Sequence, residues 1–244
     1  MALLNFRDVA DGLGDSRLLP GRLYRSAQPY HLTEADLAVV DRAGIRTAID
    51  LRQQHEQVPP DWAPAVERGL SVVRLPVADQ ILPSEEEKAP PRHPLADPDT
   101  VPEGHRILGA FYRAIVDQAG AHLATLVATV ADGAPVLLHC AAGKDRTGTT
   151  VALLLDLIGT DPEEIVADYL RTGDALDAVL TQLTGETAAQ RAARDDIPAG
   201  ISEAPEWAIR DLLRHVREQG GAAQVFLRTT DQDTLDRAIA ALTS

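Results

Sequence analysis

Ten residues constrain this 244-residue chain more than any other stretch: His139-Cys140-Ala141-Ala142-Gly143-Lys144-Asp145-Arg146-Thr147-Gly148. Before them, Pro135-Val136-Leu137-Leu138 is a short apolar run behind the turn signal Asp132-Gly133, the pattern of a buried strand. After them, Thr149 to Ile158 is apolar on nearly every side and stops at Gly159, the pattern of a buried helix. A tight loop between strand and helix turns backbone N–H groups inward, and the helix adds the positive end of its dipole. Together they make an anion site.

A cysteine at the mouth of such a site is favoured as thiolate, because the thiolate is itself an anion. Arg146 closes the loop with a planar fork that can hold two phosphate oxygens at once. The remaining loop residues, Ala141, Ala142, Gly143, Lys144, Thr147 and Gly148, are then the phosphate-binding set. Thiolate plus cradled phosphate describes phosphoryl transfer through a cysteinyl-phosphate. The composition supports this: Cys140 is the one cysteine, and Lys144 is one of two lysines among 21 arginines.

The loop sequence resembles the signature of the protein tyrosine phosphatase superfamily. Its Gly-Lys-Asp-Arg-Thr-Gly ending is similar to the bacterial and fungal branch typified by the mycobacterial tyrosine/lipid phosphatases. Four further stretches carry the same resemblance in the same order: Asn5-Phe6-Arg7-Asp8, Tyr24-Arg25-Ser26, Asp50-Leu51-Arg52 and Asp168-Tyr169-Leu170. The likeness therefore runs from residue 5 to about 170. It implies that Arg7 and Asp8 lie close to the phosphate loop and that His139 helps fix the loop and acidify the thiol. It also implies that a loop carboxylate takes part in catalysis. Read as charges alone, Arg7, Asp8 and Arg25 are instead expected as solvated ion pairs on the surface.

The net charge of −14 argues against general binding to nucleic acid or an anionic membrane, and stable membrane insertion is not expected, so positive potential must be supplied locally by the loop, Lys144 and Arg146. A single cysteine excludes an internal disulfide and suits a reducing compartment, and no signal peptide or long apolar span is seen; a cytoplasmic protein is expected. The 45% hydrophobic content is ample for one core, although aromatics make up only 4%. One domain over residues 1–244 is expected, with a helical C-terminal part over 161–244.

Along the chain, residues 5–12 and 21–26 read as short extended pieces. Thr33 opens a helix with a capping-box start that ends at Ala43-Gly44. Strand patterns follow at Ile45 to Leu51 and Leu70 to Val77. Asp50 then stands at a C-terminal strand end, where ligands gather in open α/β sheets, or serves there as a turn former. Residues 80–104 hold six prolines and Glu85-Glu86-Glu87, so they read as an irregular surface loop or a lid over the site. Helices are expected at 105–118 and 122–131, at Asp161-Pro162-Glu163-Glu164, and at 174–183, 205–219 and 231–242, with Thr184 to Ala204 a connection. The fold class is thus α/β, a mostly parallel central sheet with helices on both faces and extra helices after the phosphate loop.

The expected chemistry needs no metal or cofactor. Cys140 attacks phosphorus, Arg146 and the loop amides hold the equatorial oxygens, and Thr147 can hydrogen-bond the departing thiolate. The general acid is assigned to Asp145, with Asp79, in a loop position that the family resemblance suggests, as the second choice. Lys144 is expected to swing between Asp145 and a second phosphate, or merely to offset charge. The partner is a phosphorylated protein or a phosphoinositide. A sulfurtransferase of the rhodanese type also cradles a cysteine, but Arg146-Thr147-Gly148 opening a helix argues against it. A phosphate-binding module without turnover is the alternative from another class.

Overall fold

The computed structural model describes residues 3–57, 61–77, 101–194, 198 and 200–244. At its centre is β5 (Val136–His139), whose four residues are all buried. Parallel neighbours flank it, β2 (Leu23–Ser26) on one side and β3 (Thr47–Asp50) on the other; β4 (Ser71–Arg74) pairs with β3, also parallel. The two-residue β1 (Arg7–Asp8) closes the β2 edge and is, among the described residues, the one antiparallel strand. The order is β1-β2-β5-β3-β4. Register aligns Ser26, His139 and Asp50 in one row at the C-terminal edge, and Cys140 follows at once.

Alternation along these strands divides two cores. Val136 and Leu138 of β5, Leu23 of β2 and Ile49 of β3 face the larger one. Leu137 and Ala48 face the smaller, which is completed by Leu37 and Val40 of α1 (Glu34–Arg42), by Trp62, and by Ala65 of α2 (Ala63–Val66). The larger side carries α3 (Glu103–Gln118), α4 (Gly120–Ala131), α5 (Asp145–Leu157), α6 (Pro162–Leu170), α9 (Glu206–Glu218), α10 (Ala222–Phe226) and α11 (Gln232–Thr243). Helix α5 lies against the sheet, with ten of its thirteen residues buried, which is why its sequence past the first turn is apolar on nearly every side. Each buried leucine there contributes about 2 kcal/mol of transfer free energy.

The expected fold class holds, and several starts lie where capping chemistry places them. Thr33 and Asp36 form a reciprocal capping box, and Asp161 accepts from the N–H of Glu163 with Pro162 at the first position. Three short helices departed from expectation: α2, α10 and α8 (Ala188–Ala192), the last within the stretch read as connection. Each has four or five residues, too few for a helical periodicity to show. The helix α7 (Gly173–Thr184) precedes α8. In the N-terminal piece only Arg7–Asp8 is strand. Residues 9–12 form a 3-10 turn capped by the Asp8 carboxylate. Glu103 and Gly104, assigned to the irregular stretch, begin α3; the rest of that stretch through residue 100, Asp79 just before it included, lies outside the described residues. No single helix among the described residues is long and apolar enough to cross a membrane.

Candidate active site

Strand β5 delivers Cys140, and α5 begins five residues later at Asp145. Among the described residues, no carbonyl or side chain accepts the backbone N–H groups of Ala141 through Arg146. These donors line the loop, and they are what a phosphate would meet. Gly143 has φ +65°, and a Cβ there would collide with the Ser26 carbonyl, so the loop needs glycine at this place. The bend that results lets β2 pack directly beneath the loop: Gln28 N–H donates to the Ala141 carbonyl at 3.0 Å.

His139 is fully buried, and its partners fix its proton. Trp62 Nε1–H donates to Nε2 at 2.8 Å. An indole N–H can only donate, so Nε2 is bare and the proton sits on Nδ1, 3.3 Å from the Cys140 carbonyl. The ring is therefore neutral, in agreement with burial pushing its pKa below 6.5. It pins the backbone at Cys140. Cys140 itself is buried.

Arg146 is held by a residue that the sequence reading missed. Its two terminal nitrogens meet the two carboxylate oxygens of Glu56 at 2.5 and 2.6 Å, and Nη1 also reaches the Leu51 carbonyl at 3.4 Å. Glu56 ends a 3-10 turn (Gln54–Glu56) just after β3, where it also accepts from the Gln53 N–H at 2.8 Å. Burial works against the Glu56 charge, yet Arg146 more than offsets it and holds the carboxyl below its ordinary value. Nothing in so polar a turn signals this role. Trp62 had a signal, as one of two tryptophans in a chain poor in aromatics.

Asp145 Oδ1 accepts from the Tyr112 hydroxyl at 2.6 Å. Lys144 does not swing free as expected. Its ammonium donates to the carbonyls of Ile201 at 2.9 Å and Glu203 at 2.8 Å, lies 3.6 Å from Asp145, and is 4% exposed. Thr147 Oγ1 is buried without a hydrogen-bond partner, and Gly148 lets the Tyr169 ring approach, since a Cβ there would meet Cδ2 at 2.8 Å.

The outlying stretches converge beneath the loop. Asn5 Nδ2 donates to the Gly143 carbonyl at 3.1 Å and to that of Ala142 at 3.3 Å. Arg25 donates to the Gly143 carbonyl at 2.8 Å and to Asp168 at 2.5 Å. Arg7 meets the other oxygen of Asp168 at 3.0 Å. Arg25 is 0% exposed and Asp168 1%, so the surface-pair expectation for Arg7 and Arg25 fails: Arg25 supports the Gly143 carbonyl, and Arg7 braces the Asp168 that holds it. Asp8 is a cap, bonding Ala10 and Gly21 N–H groups, not a surface ion pair. Asp50 is likewise absorbed. It is fully buried and forks with Arg52 at 2.7 and 2.9 Å, and Arg52 also meets Asp61 at 2.7 Å. Burial opposes the Asp50 charge, but Arg52 keeps the carboxyl below its ordinary value, the opposite of what a general acid needs. Among the described residues, no three His, Cys, Asp or Glu side chains are grouped to hold a metal.

A model of the tyrosine phosphatase family matches residues 1–243. The chain is 38% identical over 191 residues to the triple specificity protein phosphatase PtpB of Mycobacterium tuberculosis, covering 70% of this chain and 67% of that one. A protein of Cupriavidus necator is 30% identical over 181 residues, with 69% of this chain and 60% of that one covered. The chain thus spans about two thirds of the length of these relatives. The crystal structure of TpbA from P. aeruginosa aligns over 93% of this chain and 96% of that one at 18% identity, with a TM-score of 0.34.

Proposed function

Because the chain belongs to the tyrosine phosphatase family, we propose that it hydrolyses phosphomonoesters, phosphotyrosine foremost, through a phosphocysteine on Cys140. The observation that carries this reading is the loop itself. A cysteine follows the central strand, six consecutive N–H groups have no acceptor among the described residues, and the Arg146 guanidinium is held in place by Glu56.

In the first half-reaction the Cys140 sulfur forms a bond to phosphorus as the bond to the leaving oxygen breaks. The loop N–H groups and Arg146 bear the charge on the three equatorial oxygens. Asp145 gives its proton to the leaving oxygen. In the second, water attacks phosphorus, Asp145 takes up the water proton, and the sulfur leaves as thiolate with the Thr147 hydroxyl available to it. Intact Cys140, Arg146 and Asp145 weigh against a binding module without turnover. A single free cysteine suits the reducing cytoplasm, where we place the protein.

Phosphotyrosine is favoured over multiply phosphorylated inositol lipids because the Lys144 ammonium already serves two carbonyls. A second phosphate would have to displace them. The test is a panel of phosphotyrosine and phosphoserine peptides and phosphoinositides compared by kcat/KM. The highest value is expected for phosphotyrosine; a phosphoinositide turned over faster would show that Lys144 does exchange its carbonyls for substrate.

A further inference from the structure

Two buried tyrosines end at the loop carboxylate. Tyr112, in the middle of α3, and Tyr169, in α6, are 0% and 1% exposed, and their hydroxyl oxygens lie 2.7 Å apart. Tyr112 then reaches Asp145 Oδ1 at 2.6 Å. The direction of both bonds follows from donor counting. Asp145 accepts at Oδ1 as a carboxylate and equally when it carries its proton on Oδ2, so the single Tyr112 proton goes to Asp145, and the contact between the rings must be made by the Tyr169 proton. Burial, with Asp145 beside it, pushes the Tyr112 phenol well up, so it remains a donor throughout the working range.

The arrangement is tied into the loop from a second direction. The Tyr169 ring lies against Gly148, where a Cβ would collide with it, while Tyr112 and Tyr169 meet edge to face. The neighbouring Asp168 braces the other half of the loop through Arg25 and the Gly143 carbonyl. One dipeptide of α6 therefore supports both the phosphate cradle and the carboxylate.

We infer that Tyr112 is the positioning residue of Asp145, holding one carboxylate oxygen so that the other faces the leaving group, and that Tyr169 orders the Tyr112 hydroxyl for this task. The inference rests on the reading of Asp145 as proton donor. It goes beyond that reading by assigning the aim of the carboxylate to two residues outside the loop. Neither tyrosine touches the phosphate; both act through Asp145.

The experiment compares aryl phosphates of graded leaving-group acidity in wild type, Asp145→Asn, Tyr112→Phe, Tyr169→Phe and the Asp145→Asn/Tyr112→Phe pair. A good leaving group needs no proton, so a defect in donation grows as the leaving group worsens. Asp145→Asn should show the steepest dependence. Tyr112→Phe should lose about tenfold or more in kcat on the poorest leaving groups, little on the best, with inhibition by inorganic phosphate unchanged. Tyr169→Phe should show the same pattern more weakly. Adding Tyr112→Phe to Asp145→Asn should cost nothing further. A leaving-group dependence of Tyr112→Phe like that of wild type, beside a steep one for Asp145→Asn, would overturn the inference while leaving Asp145 as donor. A uniform loss across the series, or an additive loss in the pair, would reduce Tyr112 to packing and overturn it as well. If Asp145→Asn itself shows no steepening, the assignment of Asp145 fails, and the inference with it.

Discussion

At the scale of single residues, the site is a set of charges whose partners were chosen to orient them. Arg146 is the clearest case. Its fork is taken on one side by the two oxygens of Glu56, which fixes the plane of the guanidinium. A lysine could reach the same place, but it would keep neither the plane nor the paired hydrogen bonds. Arg146→Lys is therefore expected to lose about 3 kcal/mol of transition-state stabilisation, roughly 100-fold in kcat/KM. Steady-state kinetics on a phosphotyrosine peptide checks this, and near-normal kcat/KM in the variant would show that the clamp is misassigned. His139 illustrates the same logic without charge: a donor on one side and an acceptor on the other leave it a single tautomer.

At the scale of elements, α6 and β2 hold the loop through Asp168 and Arg25. Breaking such a pair leaves buried cations without compensation. Asp168→Asn should destabilise the protein by about 3–5 kcal/mol, measured by denaturant unfolding at neutral pH. The effect has a pH signature. Burial opposes the Asp168 charge, but Arg25 and Arg7 outweigh it and hold the carboxyl below its ordinary 3.8. That stabilisation is complete above the unfolded value and is lost as pH falls through the folded one. The gap between wild type and variant should thus narrow below about pH 4. His139, kept neutral by burial, produces an earlier loss common to both, starting near its ordinary 6.5 as pH falls. A gap that is constant down to acid pH would mean that Asp168 is not charged in the folded protein. The elements also show what was legible in advance. The β5-loop-α5 unit could be read because its chemistry and its pattern are contiguous. Arg25 and Asp168 are 143 positions apart, and as charges they looked like ordinary surface pairs. Only a likeness in order along the chain hinted that they share a site. Glu56 and Tyr112 gave no hint, because one lies in a polar turn and the other within an amphipathic helix, where a tyrosine passes for core.

At the scale of the molecule, a net charge of −14 surrounds a site meant for anions. The pairing of cations and carboxylates resolves the apparent conflict. Arg146 with Glu56, Lys144 beside Asp145, Arg25 with Asp168 and Arg52 with Asp50 nearly cancel as formal charges. What remains is the set of loop N–H groups and the N-terminus of α5, aligned before any substrate arrives, so the cradle costs little reorganisation during reaction. The sheet makes this possible, since its central strand ends where the loop must begin and parallel neighbours on both sides hold that end in place. The proposed mechanism makes the Cys140 sulfur the atom that takes the phosphoryl group. The most direct test is turnover of a phosphotyrosine peptide by Cys140→Ser, with inorganic phosphate binding followed on the same sample to show that the cradle is intact. Binding with no hydrolysis is the expected result. Sustained hydrolysis by the serine variant would contradict the covalent route and leave the loop as a binding site for a reaction carried out by another group.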